Sequence, residues 1–198
     1  MAAFVAVLSA AAASARADPS PLEARRLVAA LEADLRSRDS ATETLQRWCA
    51  ERHLADPARI VARRVPGADK PADASVRRLL RAAPGESIRH RRVALACGDR
   101  VLSNADNWYR PAVLTQAMNA ELDATDRPFG LVVKPLDFHR VRLSSVVLIS
   151  RRDRRAPPAV LRQSALLETP DGAPFSLVVE TYARDVLEEG SAGQERAP

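Results

Sequence analysis

The chain has 198 residues, a formal charge of +5 and 46% apolar residues, which suits one domain with its own core and excludes wholesale disorder. No apolar run reaches the roughly 18 residues that a membrane-spanning helix needs. Lys70 and Lys134 are the two lysines, so the positive charge is almost entirely arginine.

Met1 to Ala17 reads MAAFVAVLSAAAASARA. A short apolar stretch closing on Ala15-Arg16-Ala17 has the form of a secretory leader cleaved before Asp18, which places the mature protein in the periplasm or outside the cell. A misplaced start codon would leave it cytoplasmic. Cys49 and Cys97 then form one disulfide in an oxidising compartment, or stand as two buried thiols.

Pro21 to Arg36 carries Leu22, Leu27, Val28, Leu31 and Leu35 at helical spacing. Ser40-Ala41-Thr42-Glu43 has the form of a capping box, opening a second helix with Leu45, Trp48 and Cys49 on its apolar side. Arg59 to Val65 reads as a strand, Pro66 to Ala74 as a loop and Val76 to Leu80 as a short helix. Ser87 to Cys97 and Val101 to Tyr109 are strands joined by the Gly98-Asp99 turn. Pro111 to Leu122 reads as a helix with proline in its first turn, and Thr125 to Gly130 as a loop. Phe138 to Ser150 is a strand and Arg151 to Pro158 a charged loop. Val160 to Glu168 and Phe175 to Ala183 are strands joined across Pro170-Asp171-Gly172. The last residues, 188–198, form a polar tail expected to be disordered. Helices first and hairpin-linked strands afterwards predict an α+β domain over 18–187 with a largely antiparallel sheet.

Phosphate-binding and dinucleotide glycine motifs are missing, and so are zinc-ligand spacings and the G-x-S-x-G elbow. The expectation is no metal and no cofactor. The runs Arg89-His90-Arg91-Arg92 and Arg151 to Arg155 lack interleaved aromatics and a nucleic-acid-binding signature, and read as solvated surface.

Strand alternation divides Arg91 to Cys97 into a bulky face of Arg91, Val93, Leu95 and Cys97 and a face of Arg92, Ala94 and Ala96. Arg92 beside two alanines leaves room for an anion, which a guanidinium grips through two parallel hydrogen bonds. It reads equally as an exposed arginine on a solvent face. Glu180 stands among apolar neighbours in Ser176 to Tyr182. A carboxylate there needs a partner, and is either a proton-transfer group or half of a structural ion pair.

Glu86 to Asp99, Asp39-Ser40-Ala41-Thr42, Pro128-Phe129-Gly130 and the final strand with Glu180 together resemble the chorismate pyruvate-lyase family, in order and spacing, across residues 30–187. That family is similar in fold to the effector-binding UTRA domains of bacterial regulators. The resemblance implies a six-stranded antiparallel sheet whose helices cover an internal ligand site. It implies that Arg92 binds a substrate carboxylate, that Phe129 and Gly130 contact the ligand through a backbone amide, and that Glu180 faces the ring hydroxyl and moves a proton. The implied reaction is cofactor-independent elimination of pyruvate from chorismate to give 4-hydroxybenzoate. Two other readings stand beside it. One is a non-catalytic exported protein binding an aromatic carboxylate. The other is an interaction domain with Trp108-Tyr109 as a surface anchor. The expected partner is a small carboxylate, with neither nucleic acid nor a membrane span, bound by a monomer.

Overall fold

The computed structural model describes residues 19–67, 69–150 and 152–190. The expected leader, the last eight residues of the expected tail, Ala68 and Arg151 lie outside the described residues.

Two capped helices open the fold. In α1 (Pro21–Arg36), Ser20 accepts the Glu23 N–H and Pro21 occupies the first turn, while Ala24, Val28, Leu31 and Leu35 form the buried stripe. In α2 (Ala41–Glu51), Ser40 accepts the Glu43 N–H at 3.2 Å and Leu45, Trp48 and Cys49 face inward. A short helix α3 (Ala74–Leu79) follows the first strand, with Asp73 accepting the Ser75 and Val76 amides.

Six strands make one sheet: β1 (Ile60–Arg64), β2 (Arg89–Cys97), β3 (Arg100–Tyr109), β4 (His139–Val147), β5 (Ala159–Glu168) and β6 (Pro174–Ala183). Their spatial order is β1-β2-β3-β6-β5-β4, and every neighbouring pair is antiparallel. The domain is therefore α+β, with an open sheet covered by helices.

One face of the sheet carries two apolar clusters. Leu31, Leu35, Leu45 and Trp48 from the helices pack with Val93, Leu95, Ala105, Leu161 and Tyr182 of the strands. Further along the same face, Phe129, Val132, Phe138 and Phe175 pack with Ala165, Leu167 and Val178. The opposite face is covered in part by α3, whose Val76, with Leu80, meets Leu166 and Leu177. Cys49 of α2 is bonded to Cys97 at the end of β2, with Cα atoms 6.1 Å apart, so helix and sheet are covalently joined.

The connection after β3 differs from the sequence expectation. A continuous helix over Pro111 to Leu122 is replaced by a single 3-10 turn, Pro111–Val113, an extended Leu114, and then α4 (Gln116–Ala124). Thr115 causes the break, because its hydroxyl accepts the Met118 N–H and restarts the helix. The expected loop over Thr125 to Gly130 ends early too. Phe129–Val132 is one helical turn, α5, whose Leu131 and Val132 amides bond to the Pro128 carbonyl. After β6, Arg184–Leu187 coils into a 3-10 turn that buries Val186 and Leu187. The first tail residues are tied down: Arg52 donates to the Glu188 carbonyl, and Gly190 donates to the Arg52 carbonyl.

A bulge interrupts β4. Arg142 pairs with Ala165 and Ser144 with Ser164, leaving Leu143 unpaired. Arg140, Arg142 and Ser145 consequently share the face of their partners Leu167, Ala165 and Gln163, although strict alternation would separate 140 from 145.

Candidate functional site

Where the two apolar clusters meet, the sheet and its cover line a small, partly open cavity of about 30 Å³. Val93, Leu95, Ala105, Leu167 and Val178 form its floor, and Phe129 and Phe138 part of its cover. Asp39, Ser40, Thr42, Asn107, Arg140 and Glu180 supply the polar lining. An outer vestibule shares Asp39, Ser40, Gly130 and Phe138 with it and adds Arg38, Glu43, Lys134 and Asp137. The balance of apolar wall and few polar groups is that of a small-molecule pocket.

Glu180 is at the centre. Its Oε2 takes a hydrogen bond from Arg140 Nη2 and another from the Tyr182 hydroxyl at 3.0 Å. The Arg140 and Glu180 side chains are 5% and 7% exposed. Burial works against the Arg140 charge, and the adjoining Glu180 carboxylate more than restores it, leaving the guanidinium above its ordinary value. Burial and then the Glu180 charge push the Tyr182 phenol well above its ordinary value, so Tyr182 is a donor. Asp39 fixes the start of β4 by accepting the Arg140 backbone N–H at 2.8 Å.

Two helix starts contribute residues to the cavity lining. Ser40 and Pro128 precede α2 and α5, whose own backbone bonds begin at Thr44 and Leu131. Glu43 is held by the Ser40 side chain. The amides of Ala41, Thr42, Phe129 and Gly130 have no acceptor among the described residues. A Cβ on Gly130 would sit 3.4 Å from the hydroxyls of both Ser40 and Thr42, so the two helix starts approach closely there. Asn107, 4% exposed, adds its amide to the lining.

The register corrects the expectation for Arg92. Val93 pairs with Ala105, and Ala105 with Glu180, while Arg92 pairs with Asp106, and Asp106 with Val179. Directly paired residues in a sheet share a face. Arg92 therefore projects from the face opposite the cavity, its side chain 36% exposed, with Nη1 3.9 Å from Asp106. His90 and Lys70 share that carboxylate. Ala94 beside Arg92 is half-buried and Ala96 fully buried, and Arg92 and Glu180 are not brought together. Phe129, Gly130 and Glu180 do line one cavity.

Two arginines were passed over. Arg140 comes from an edge strand whose bulge hides its alternation. Arg91 had a visible signal: it is the charged member of the bulky, apolar face with Val93 and Leu95. It is 2% exposed, and pairs across the sheet with Asn107. Arg91 Nη2 donates weakly to the Thr125 and Arg127 carbonyls, at 3.3 and 3.4 Å, while Nε and Nη1 have no partner. Burial, and then the cation of Arg64, depress its pKa below the ordinary arginine value. Trp108 lies against His90 and donates to the Lys70 carbonyl, and Tyr109 packs on Phe129, so the two aromatics face opposite ways. Among the described residues no group of three or more His, Cys, Asp or Glu is placed to hold a metal ion. None of their helices is long and apolar enough to cross a membrane.

No family model matches the chain. The uncharacterized protein y4mC of Sinorhizobium fredii (strain NBRC 101917 / NGR234) is 45% identical over 186 residues, covering 85% of this chain and 78% of that one. Among solved structures, the effector domain of PhnF from Mycobacterium smegmatis aligns with a TM-score of 0.47 at 11% identity, over 69% of this chain and 89% of that one. A GntR-family transcriptional regulator from Enterococcus faecalis V583 aligns at 0.44 and 17%, over 62% of this chain and 92% of that one. These two are likenesses of fold.

Proposed function

We propose that this chain, which belongs to the same family as y4mC of Sinorhizobium fredii, binds a small organic carboxylate in the cavity between its sheet and its helical cover. One observation carries the reading. Arg91, outside the cavity lining but cross-strand from its member Asn107, is a buried cation with two guanidinium nitrogens unpartnered and no carboxylate in salt-bridge reach among the described residues. A buried charge without an anion is costly, and a ligand carboxylate would supply two charge-assisted hydrogen bonds. Arg140 is unsuited to that task because Glu180 already neutralises it. Asn107, the cross-strand partner of Arg91, and the free amides of α2 and α5 offer further hydrogen bonds. Phe129, Phe138, Leu167 and Val178 give the site an apolar wall.

Elimination of pyruvate from chorismate, the reaction implied by the resemblance, is the finer form of this proposal. Its support is the place of Glu180 in the cavity lining. With Oε2 engaged by Arg140 and Tyr182, Oε1 has no protein partner and could exchange a proton with a bound ring. The protein's other contribution would be orientation, because gain of aromaticity drives that reaction. Export with cleavage before Asp18 belongs to the same proposal, supported by the bonded pair Cys49 and Cys97.

The test is thermal denaturation and calorimetry with a panel of ring carboxylates, beside their primary amides. At a hundredfold excess over Kd the ligand adds about 2.7 kcal/mol, a rise of several degrees. Carboxylates should stabilise the protein where amides do not, and Arg91→Gln should abolish the difference. A panel with no effect on the wild type refutes the reading. Incubation with chorismate, followed for 4-hydroxybenzoate and pyruvate, separates turnover from binding.

A further inference from the structure

The two edges of the sheet are treated differently by this chain. β1 is five residues long and carries Arg63 and Arg64, and its Ala62 N–H is taken by the Asp126 carbonyl at 2.7 Å. Such an edge is closed to another strand. At the other edge, β4 is nine residues long, and Asp39 holds its backbone at Arg140 alone. Val141, Leu143, Val146 and Val147 of β4, with Leu148 after it, are all exposed, Val146 by 51%. The remaining exposed large apolar residues, Leu22, Val65 and Leu79, are scattered over other elements.

Leu143-Ser144-Ser145-Val146-Val147-Leu148 contains no charge, no proline and no glycine. Past the bulge at Leu143, Ser144 to Val147 are regular strand residues on the open edge and form a template for strand pairing. We propose that β4 pairs antiparallel with β4 of a second copy, joining two six-stranded sheets across a two-fold axis. Charge selects that occupant. The open stretch is neutral and meets itself without repulsion, whereas β1 of another molecule would bring two arginines and a blocked amide. A two-fold pairing uses up both open edges and closes, so it yields a dimer and not a fibre. The dimer replaces the monomer expected from the sequence. Arg140 is the β4 residue in the cavity lining, and residues 143–148 lie outside that lining.

Sedimentation equilibrium and light scattering of the full chain should give twice the chain mass of 21.5 kDa at about 100 μM. Val146→Lys places a charge on the paired edge and should weaken the dimer at least about tenfold. Leu22→Lys, on α1, should leave it unchanged. Amide exchange of the wild type supplies a measurement that depends on no variant: protection of residues 143–148 should rise with protein concentration. A monomer at every concentration overturns the proposal. A dimer indifferent to Val146→Lys overturns it as well, since another surface would then hold the copies together. So does concentration-independent protection of 143–148, which would put a segment of the same chain on β4.

Discussion

Breaking the Arg140–Glu180 pair tests whether the cavity floor is as dry as its geometry implies. Glu180→Gln keeps the shape and an acceptor for Tyr182, but leaves the Arg140 guanidinium without its anion. Arg140→Met keeps the aliphatic stem and leaves the carboxylate alone. With both side chains under a tenth exposed, removing one partner costs about 3–5 kcal/mol, because the survivor is a buried, uncompensated charge. For a domain of this size that lowers Tm by roughly 10 °C or more. The double variant Arg140→Met/Glu180→Gln has no stranded charge, so it should lose less than the two single variants summed, by about 2 kcal/mol. Urea unfolding followed by the fluorescence of buried Trp48 measures all four proteins. If the single variants each cost under about 1 kcal/mol and add to within about 0.5, the pair is hydrated, and the cavity is an open surface cleft.

The disulfide closes a segment with a sequence separation of 48, and loop-closure entropy assigns it about 4 kcal/mol. Reduction, or Cys49→Ala with Cys97→Ala, should lower the urea midpoint accordingly, and an unchanged midpoint would refute the entropic argument. Ser40→Ala removes the α2 cap at the cavity rim and should cost about 1 kcal/mol, read in the same assay. The Arg110 guanidinium and then the Ala83 N–H hold the Glu86 carboxyl below its ordinary value. Its contribution is therefore present above the unfolded carboxylate pKa, about 4.3, and is lost as pH falls through that value toward the lower folded one. Comparing urea midpoints at pH 7 and pH 3.5, Glu86→Gln should show a shallower acid loss than wild type.

How much of this was legible in the sequence depends on whether the signal was local. The capping serines and periodic leucines of α1 and α2 are local chemistry, and their starts fall where Ser20 and Ser40 put them. The hairpin turns at Gly98 and Gly172 need positive φ, and the strands beside them follow. Thr115 and Pro128 are local signals too, but each competed with a plausible longer element and was outweighed. The choice between Arg91 and Arg92 was different in kind. Alternation separated the two faces correctly, yet could not say which one the helices would cover. The apolar company of Arg91 named the interior face, while Arg92 projects from the opposite one. Arg140 was out of reach because its partner, Glu180, is 40 residues away, on a strand that is not its neighbour in the sheet.

The unpaired Leu143 constrains which lengths of gene can encode this domain. Ser145 stands five positions after Arg140, an odd spacing that a regular strand would place on opposite faces. The bulge absorbs one of them. Deleting Leu143 would restore regular pleating, with Arg140 and Ser145 four positions apart opposite Leu167 and Gln163, so Arg140 keeps Glu180 and Ser145 keeps Gln163 and Glu32, to which it is hydrogen-bonded. Substitution at 143 changes a surface, whereas a second residue inserted beside it without a second bulge would put Arg140 and Ser145 out of register with Leu167 and Gln163. In members of this family that retain both contacts, those two residues should stand five positions apart with a bulge or four apart without one.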